Sequence, residues 1–362
     1  MKILHVETGR HLYGGARQVA WIIEGLQRHG IDNLLAAPAD SAILATASAH
    51  CSDAIPLQTR KGSGFALYRE LIAAIHHHRP DLIHVHSRRL AADFWGGLAA
   101  RRLGIPAVLS RRVDNPEARW LAAIKYGLFD HIITISDGIR RVLLSEGVPA
   151  AKLTTVRSAI DIAAFNHRCD AKAFRQTFVL DENAIVIGVI AQLIPRKGHR
   201  YLLDVLPQIA EQHPMLKVIF FGQGAEESAL KEAVTQAGLE QVVQFAGFRD
   251  DLPRWLACLD LVVHPADMEG LGISLIQAAA CRVPIIASRA GGIPEIVHDG
   301  NNGILIEPGN REQLATALRT LLGDPAQRRR MGDNGRRLVE QAFSIEQTVS
   351  GNLAIYRRLL AI

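Results

Sequence analysis

The residues that could do chemistry are concentrated where one acidic residue and two glycines follow a short, largely apolar run. Glu269, Gly270 and Gly272 come after residues 259–263 and lead into residues 273–281, which contain neither glycine nor proline. The first pattern is typical of a buried parallel strand, and the second of a helix. The sequence therefore predicts a loop between the end of a strand and the start of a helix.

A helix start of this kind can hold a phosphate group. Its first backbone N–H groups have no acceptor within the helix and lie at the positive end of the helix dipole. The groups concerned belong to Gly270, Leu271, Gly272 and Ile273. The glycines lack a Cβ atom, so an anion can approach the backbone closely. Glu269 would stand beside that phosphate, where a second anion is useful only if it accepts hydrogen bonds from hydroxyl groups, which suggests a nucleotide-sugar.

This segment resembles the Glu-x7-Glu signature of the family 4 glycosyltransferases, which have the GT-B fold. Glu269 takes the position of the first glutamate and Gln277 that of the second, where the chain departs from the family pattern. The resemblance implies that Glu269 orients the sugar hydroxyls and that position 277 contacts the ribose. The alternative is an ordinary strand–loop–helix unit in which Glu269 is a solvated loop residue.

Two further segments match the same family in the expected order. Residues 191–198 are similar to its G-R-L-x-x-x-K-G loop, in which Lys197 matches the pyrophosphate-binding lysine, while Gln192 replaces the arginine. We expect the adjacent Arg196 to supply the missing charge. Residues 247–251 match the loop that borders the nucleobase. That loop contributes Phe248 and Arg249 to the predicted donor site, and its two aspartates are better explained as a helix N-terminus than as a metal site.

The first half of the chain offers a histidine and a glycine loop. His86 ends the apolar run 82–86 and takes the position of the family histidine that lies next to the reacting sugar. Gly15 belongs to a paired-glycine loop similar to the one that reaches towards the sugar phosphate. The glycines at 9, 14 and 15 do not fit the G-x-G-x-x-G spacing, which disfavours a dehydrogenase. Without the resemblance, a histidine at a strand end is more often structural than catalytic.

The basic residues are unevenly placed and suggest an anionic acceptor. Lys and Arg outnumber Asp and Glu by 6 in residues 1–165, whereas they are 1 fewer in residues 166–362. Two arginine pairs, Arg88–Arg89 and Arg111–Arg112, follow predicted strands, so both would lie at the carboxyl edge of one parallel sheet. We expect them to bind phosphate or carboxylate groups of a cell-envelope glycan or glycolipid, such as a lipopolysaccharide core. The alternative is a set of solvated surface arginines.

Short apolar runs alternate with helical segments through both halves, which predicts βαβ units and parallel sheets. The predicted fold class is α/β, of the GT-B type, with two Rossmann-like, doubly wound domains facing across a cleft. The expected divisions are an acceptor-binding domain at 1–165, a nucleotide-sugar-binding domain at 166–345 and a final helix at 346–362 that crosses back to the first domain. The pattern weakens between about 157 and 184, where the linker is placed.

Composition limits the compartment and the partners. The 362 residues, 48% of them hydrophobic and 21% charged, are ordinary for a globular protein, and no run approaches the roughly 18 apolar residues of a membrane span. We expect a cytoplasmic protein because the N-terminus becomes polar too soon for a secretion signal. The expected glycolipid acceptor would bring it into peripheral contact with the inner membrane face. The widely spaced cysteines are expected to be free, buried thiols, and no basic aromatic platform indicates nucleic acid.

The sequence thus predicts a retaining glycosyltransferase that moves a sugar from a nucleotide-sugar, with UDP favoured, to an anionic acceptor. The resemblance implies no obligatory metal and no cofactor other than the nucleotide-sugar substrate. One alternative is a GT-B nucleotide-sugar epimerase. Another is a nucleotide-sugar-binding protein with impaired catalysis, which Gln192 and Gln277 would support. The sequence does not specify the sugar, the nucleobase, the acceptor or the oligomeric state.

Overall fold

The computed structural model describes residues 1–12, 14–58, 64–86 and 90–362, without the side chains of residues 90 and 91. The chain divides into two compact units. The first unit comprises residues 1–159 and 345–362, and the second unit comprises residues 160–344.

The first unit is built on a parallel sheet. Its strands are β1 (Lys2–Glu7), β2 (Asp32–Pro38), β3 (Asp53–Leu57), β4 (Leu82–His86), β5 (Ala107–Arg111), β6 (His131–Thr134) and β7 (Leu153–Thr155). In the described part of the unit these seven strands lie in the order β3-β2-β1-β4-β5-β6-β7, with every pair parallel. The strand order reverses between β1 and β4, and ligands of such sheets bind at the carboxyl ends of the strands around that point.

Helices connect these strands. They are α1 (Gly14–Arg28), α2 (Ala42–Ala47), α3 (Gly64–His78), α4 (Leu90–Arg102), α5 (Arg119–Gly127) and α6 (Asp137–Ser145). The inner strands β4 and β5 are buried along their whole length, as expected for strands covered on both faces. Ser136 caps α6 by accepting a hydrogen bond from the Ile139 N–H group, which fixes where the chain turns after β6.

The second unit repeats the architecture with its own sheet. Its strands are β8 (Ile185–Ile190), β9 (Leu216–Phe221), β10 (Val243–Gly247), β11 (Leu261–His264), β12 (Ile285–Ser288) and β13 (Gly303–Ile306). They form a parallel six-stranded sheet in the order β10-β9-β8-β11-β12-β13, so the reversal falls between β8 and β11. The helices of this unit are α7 (Ala171–Phe178), α8 (His199–Gln212), α9 (Glu227–Gln236), α10 (Leu252–Leu256), α11 (Ile273–Ala280), α12 (Arg311–Gly323) and α13 (Pro325–Ala342).

The final helix, α14 (Ile345–Leu360), belongs to the first unit and packs on α1. Gly25 of α1 makes this close approach possible, because a Cβ atom there would lie 2.3 Å from a methyl group of Val349. Tyr356 on the same helix is fully buried and reaches the sheet. None of the helices in the described ranges is both long enough and apolar enough to cross a membrane.

In the second unit, a helix lies where the sequence indicated only a linker, and the expectation about the cysteines was wrong. Helix α7 lies within the segment that we assigned to a linker, and its Phe174 and Phe178 are buried against Trp255. Cys169 and Cys258, expected to be free, form a disulfide with their Cα atoms 4.9 Å apart. They are 89 residues apart in sequence, so local spacing carries no sign of the pairing. The other two cysteines are free, and burial raises the pKa of each to about 12.

Candidate functional site

In the second unit, the loops after β8 and β11 pack directly on one another. Gly198 has a φ of +69°, and a Cβ atom at that position would lie 1.9 Å from the carbonyl oxygen of Pro265. The Asp267 N–H group donates a hydrogen bond to the carbonyl oxygen of Arg196 at 2.9 Å. Only glycine allows this approach and this backbone conformation together. The contact brings Lys197, from the first loop, beside Glu269, from the second.

Lys197, Glu269 and His264 form a compact hydrogen-bonded group. Oε2 of Glu269 accepts hydrogen bonds from Nζ of Lys197 at 2.6 Å and from Nε2 of His264 at 2.9 Å. Lys197 and His264 are buried, and the side chain of Glu269 is only 16% exposed. Burial acts to raise the pKa of Glu269, but the hydrogen bond from His264 and the charge of Lys197 outweigh it and lower that pKa to about 2. Glu269 is therefore a carboxylate throughout the physiological range.

The second carboxylate oxygen of Glu269 is chemically available. Oε1 has no hydrogen-bond partner in the described part of the chain, whereas Oε2 has two. An ionised carboxylate accepts hydrogen bonds and cannot donate them. The group therefore combines a cation with an anionic acceptor, the pair that a phosphorylated, hydroxyl-rich ligand requires.

The backbone around Glu269 is fixed by a third loop, which follows β12. Gly291 has a φ of +52°, and a Cβ atom there would lie 1.8 Å from the carbonyl oxygen of Glu269. The Gly292 N–H group donates to that same oxygen at 3.0 Å. The carbonyl of Glu269 thus points towards the 291–292 loop, while the side chain of Glu269 is hydrogen bonded to Lys197.

Helix α11 begins immediately after this loop, as predicted. Its N-cap, Gly272, has a φ of +102° and provides no side chain to cap the helix. The first backbone N–H groups of the helix, at Ile273 and Ser274, have no intrahelical acceptor. Gln277 lies one turn further along the same half-buried face and makes no side-chain hydrogen bond to described residues. The helix start and Gln277 therefore share one partly exposed surface.

The remaining residues of the predicted donor site are distributed over two loops. Gln192 and Arg196 are both exposed. Phe248 is 62% exposed, whereas Arg249 donates two hydrogen bonds to the carboxylate of Asp251, at 2.7 and 2.6 Å. Asp251 also accepts from the indole of Trp255 at 2.9 Å. The hydrogen bond from Arg249 is the main cause that lowers the pKa of Asp251. Its carboxylate is thus occupied by protein donors.

In the first unit, His86 belongs to a group of three fully buried histidines. Nε2 of His86 lies 3.2 Å from Nδ1 of His5, and Nε2 of His5 lies 3.3 Å from Oδ1 of Asn33. His84 is hydrogen bonded to the Tyr356 hydroxyl at 2.5 Å and to the Ser110 hydroxyl at 2.8 Å. Burial is the largest cause that lowers the pKa of all three histidines, to about 4 for His5. All three are therefore neutral at pH 7.

The same three histidines are close enough to ligate a metal ion, with one nitrogen of each within 4.8 Å of the others. Five of their six ring nitrogens already have protein hydrogen-bond partners. The exception among the described atoms is Nδ1 of His86, which is buried and has no partner. A metal would have to displace several of these hydrogen bonds, so the group is arranged as a hydrogen-bond network.

The glycine loop after β1 is described on both sides of Tyr13. Oε1 of Glu7, the last residue of β1, accepts a hydrogen bond from the Gly9 N–H group at 2.7 Å. Glu7 is the register neighbour of His86 on β4, so both lie at the carboxyl edge of the sheet. Gly15 is half-buried in the first turn of α1.

The four arginines predicted to bind an acceptor have different surroundings. Arg88 and Arg89 lie outside the described residues. Arg111 is only 4% exposed, and its guanidinium donates to the carbonyl oxygen of Asn115 at 2.8 Å and to Glu117 at 3.5 Å. Arg112 is half-buried and donates to the Ser158 hydroxyl at 3.4 Å. Arg111 therefore has partners within its own unit.

Arg111 takes part in a buried charge network that the sequence did not indicate. Lys125 is fully buried and lies 2.6 Å from one carboxylate oxygen of Glu117 and 3.7 Å from Asp93. Burial acts to raise the pKa of Glu117, but the hydrogen bond from Lys125 and the charge of Arg111 outweigh it and lower that pKa. A buried cation needs such partners, which gives Lys125 and Arg111 a structural reason to be where they are.

Sequence reasoning also missed His264, His5 and Asn33. His264 is the last residue of β11, and only the fold shows that its ring meets Glu269 five residues later. His5 and Asn33 are 81 and 28 residues from the partners named above. A polar residue inside an otherwise apolar strand was the available signal at each of these positions.

Family models match both halves of the chain. The model described as glycosyl transferases group 1 matches residues 170–338, and the model described as glycosyltransferase family 4 matches residues 13–164. Together they account for most of the sequence. Both sheets are parallel, and each has a reversal of strand order, the point at which sheets of this kind bind ligands. The chain belongs to the family 4 glycosyltransferases and has the GT-B fold.

Individual relatives agree with this assignment. A Corynebacterium glutamicum protein, named GDP-mannose-dependent monoacylated alpha-(1-6)-phosphatidylinositol monomannoside mannosyltransferase, is 34% identical over 200 residues, which cover 52% of this chain and 52% of the relative. Sulfoquinovosyl transferase SQD2 of Arabidopsis thaliana is 29% identical over 296 residues, covering 76% of this chain and 56% of the relative. The chain spans about half the length of these curated relatives. Anabaena Alr3699/HepE in complex with UDP and glucose has a TM-score of 0.82 at 25% identity, covering 98% of this chain and 99% of the other.

Proposed function

We propose that this protein transfers a sugar, with retention, from a nucleotide-sugar to an anionic glycan or glycolipid. The observation that carries the proposal is the buried group of Lys197, Glu269 and His264 beside the uncapped start of α11. It joins a cation, the backbone N–H groups at the start of a helix and an anionic acceptor in one place. A sugar diphosphate presents the matching groups, namely two phosphates and a ring of hydroxyls.

The roles within the donor site follow from the chemistry of each group. Lys197 and the N–H groups from Gly270 to Ile273 stabilise the diphosphate as negative charge develops on it. Oε1 of Glu269 accepts hydrogen bonds from the sugar hydroxyls, while His264 and Lys197 hold Oε2. Gln277 accepts a hydrogen bond from the ribose through its amide oxygen. Arg196 adds charge near the phosphates, and Phe248 and Arg249 border the base.

The nucleotide is proposed to be UDP. The support is the likeness to Alr3699/HepE, whose structure holds UDP and glucose. The Corynebacterium glutamicum relative is named for GDP-mannose instead, so GDP is the competing base. Gln277 is proposed to contact the ribose, which UDP and GDP share, so this residue does not favour either base.

The acceptor is proposed to carry phosphate or carboxylate groups and to lie at the inner face of the cytoplasmic membrane. The excess of basic residues in the first 165 positions supports this proposal. So does the name of the Corynebacterium glutamicum relative, which specifies a phosphatidylinositol mannoside, an anionic lipid. Of the two predicted acceptor arginines that the structure describes, Arg111 is buried and paired with Glu117, whereas Arg112 is half-buried, so we assign the acceptor contact to Arg112. A lipopolysaccharide core is one acceptor of this class.

Turnover assays test the proposal against its alternatives. Release of free nucleotide from a UDP- or GDP-sugar is measured with and without a phosphorylated glycolipid acceptor. We expect release only when the acceptor is present, together with an α-linked product from an α-linked donor. An epimerase would convert the donor without any acceptor, and an impaired binding protein would bind the donor without releasing nucleotide. Either result would replace the proposed function.

A further inference from the structure

The three buried histidines of the first unit include a chain of hydrogen bonds whose direction can be determined. It starts at Asn33, which is 1% exposed. Nδ2 of Asn33 donates to the carbonyl oxygens of Ile23 and Ile31, both at 3.2 Å. These two acceptors fix the amide orientation, so Oδ1 is the atom that faces His5.

Each later step in the chain follows from the one before it. Oδ1 of Asn33 can only accept, so Nε2 of His5 carries a hydrogen and donates to it over 3.3 Å. A neutral imidazole has one N–H group, so Nδ1 of His5 is an acceptor. Its neighbour at 3.2 Å, Nε2 of His86, must therefore carry a hydrogen and donate it. Nδ1 of His86 is left as an unprotonated acceptor, and it is the buried ring nitrogen with no partner among the described residues.

We propose that Asn33 and His5 are positioning residues, which fix the tautomer of His86 so that its Nδ1 accepts a hydrogen bond from a substrate hydroxyl. The inference rests on the proposed function and on the expectation, taken from the family resemblance, that His86 lies next to the reacting sugar. It adds a direction to that contact: the substrate donates and the histidine accepts.

The surroundings of His86 keep the ring neutral, as this arrangement requires. Burial is the largest cause that lowers its pKa well below the usual value, and the positive charge of Arg112 adds to it. Burial likewise lowers the pKa of His5 to about 4. A protonated His5 would have no acceptor at Nδ1, and the direction of the chain would be lost. His84 has its own partners, Tyr356 and Ser110, and does not enter the chain.

The tautomer of His86 can be determined by NMR in the absence of any substrate. The whole protein is labelled with 15N-histidine, and long-range 1H–15N correlation spectra are recorded between pH 6 and 8. The signal of His86, one of 15 histidines, is assigned by its loss in His86→Gln. We expect an unprotonated Nδ1 and a protonated Nε2 for both His5 and His86. We call the hydrogen-bond chain from Asn33 through His5 to His86 the relay. A protonated Nδ1 on His86, or a positively charged ring, would overturn the relay whether or not the protein is a glycosyltransferase.

Kinetics of matched variants test what the relay does. His5→Phe removes the acceptor for the Nε2–H of His86, and turnover is expected to fall roughly tenfold, the worth of about one hydrogen bond, with donor affinity unchanged. His5→Gln retains one acceptor and one donor and is expected to recover part of the loss. His131→Phe is the control, because it removes another buried histidine of the same sheet that is bonded to Thr154 instead.

The possible outcomes separate the relay from the wider proposal. Equal turnover in His5→Phe and His131→Phe, despite the expected tautomer, would show that the network serves only the fold and would overturn the positioning role. If His5→Phe does not fold, Asn33→Leu is used instead, because it removes the first residue of the hydrogen-bond chain. A His86 tautomer that stays the same in Asn33→Leu would also contradict the proposal. If the wild type does not bind a nucleotide-sugar, the proposed function is rejected, but the spectra still show which nitrogen of His86 carries the hydrogen.

Zinc provides a final discriminating measurement. Because five of the six ring nitrogens are engaged, adding Zn²⁺ to the wild type should leave the His5, His84 and His86 signals in place. Displacement of all three signals with a rise in Tm would identify a metal site and would overturn the relay.

Discussion

At the scale of single residues, the ion pair of Lys197 and Glu269 is the centre of the proposed donor site. In the free protein the two side chains neutralise one another in a largely buried setting. Lys197 has three N–H donors, so it can keep Glu269 and still bind a phosphate oxygen. The interaction with phosphate should strengthen as charge builds on the departing diphosphate, which makes Lys197 a group that favours the transition state.

Replacing Lys197 with Ala should therefore lower turnover more than it weakens nucleotide binding. The expected rise in the activation barrier is about 2–4 kcal/mol, the effect of removing one pre-organised donor. The measurement compares kcat with the dissociation constant of the donor. Lys231→Ala is the control, because Lys231 forms an exposed pair with Glu227 at 2.7 Å and has no part in the site. Unchanged turnover in the Lys197 variant would remove that residue from the mechanism.

The ionisation of Glu269 predicts a pH dependence of stability. Its pKa is about 2 in the folded protein and 4.5 ordinarily, so folding favours the carboxylate. The stabilisation is fully present above pH 4.5 and is lost as the pH falls towards 2. A difference of this size corresponds to roughly 3 kcal/mol.

Urea unfolding of the wild type and of Glu269→Gln, measured between pH 5 and pH 3, checks this dependence. The stability difference between the two proteins should narrow as the pH falls, because protonation removes the advantage of the wild type. A difference that stays constant across this range would show that Glu269 is not held as a carboxylate by Lys197 and His264.

At the scale of elements, the site depends on three loops that approach one another through glycine. Gly198 and Gly291 each place backbone where a side chain would collide with a neighbouring carbonyl oxygen. The strands supply the carboxyl edge, and the glycines let the loops close on it. The ion pair is a consequence of that loop packing.

Gly198→Ala should destabilise the second unit and abolish donor binding. Its new Cβ would lie 1.9 Å from the carbonyl oxygen of Pro265 and would also adopt a φ of +69°. Gly238→Ala is a matched control, because Gly238 has a φ of +65° with no atom within 4 Å of the added Cβ. The control should lose only about 1–2 kcal/mol, the cost of the left-handed conformation.

The measurements for this pair are chemical unfolding and donor titration. Equal losses of stability in the two variants would show that the contact between the two loops is not tight. If Gly198→Ala still binds the donor, the 195–198 loop does not belong to the donor site.

Part of this arrangement of elements could be predicted from the sequence. The strand before Glu269 and helix α11 after it were predictable, because a short apolar run, a glycine loop and a glycine-free segment are local patterns. The parallel sheets followed from the repetition of such units. The Cys169–Cys258 bond and helix α7 did not follow, since one depends on contact across 89 residues and the other is a short helix in a polar stretch.

Polar contacts between strands could not be predicted from the sequence either. The pairing of β1 with β4 places His5 beside His86, and nothing in either segment alone specifies that pairing. Arg111 looked like a surface residue because it stands beside Arg112, yet its side chain turns to Glu117. The roles assigned to all of the site residues, Lys197 and Glu269 included, remain predictions.

At the scale of the whole molecule, the uneven charge predicts how the acceptor is recognised. If Arg112 binds an anionic group, Arg112→Gln should raise the acceptor KM and flatten its dependence on salt, while the donor constant stays unchanged. Arg101→Gln is a suitable control, because Arg101 is an exposed arginine of the same unit that donates to the Gly127 carbonyl. Kinetics at two salt concentrations make the comparison. Efficient use of a neutral acceptor by the wild type would argue against this proposal.

The central claim is that the second unit binds a nucleotide-sugar, and thermal unfolding with a panel of UDP-, GDP- and ADP-sugars tests it most directly. A donor at 100 times its dissociation constant should add about 2.7 kcal/mol of stability, and the corresponding free sugars, at the same concentration, should add none. We expect one base to stabilise clearly more than the others, with UDP favoured. Failure of every nucleotide-sugar to shift the transition, at concentrations where the free sugars are also silent, would contradict the account.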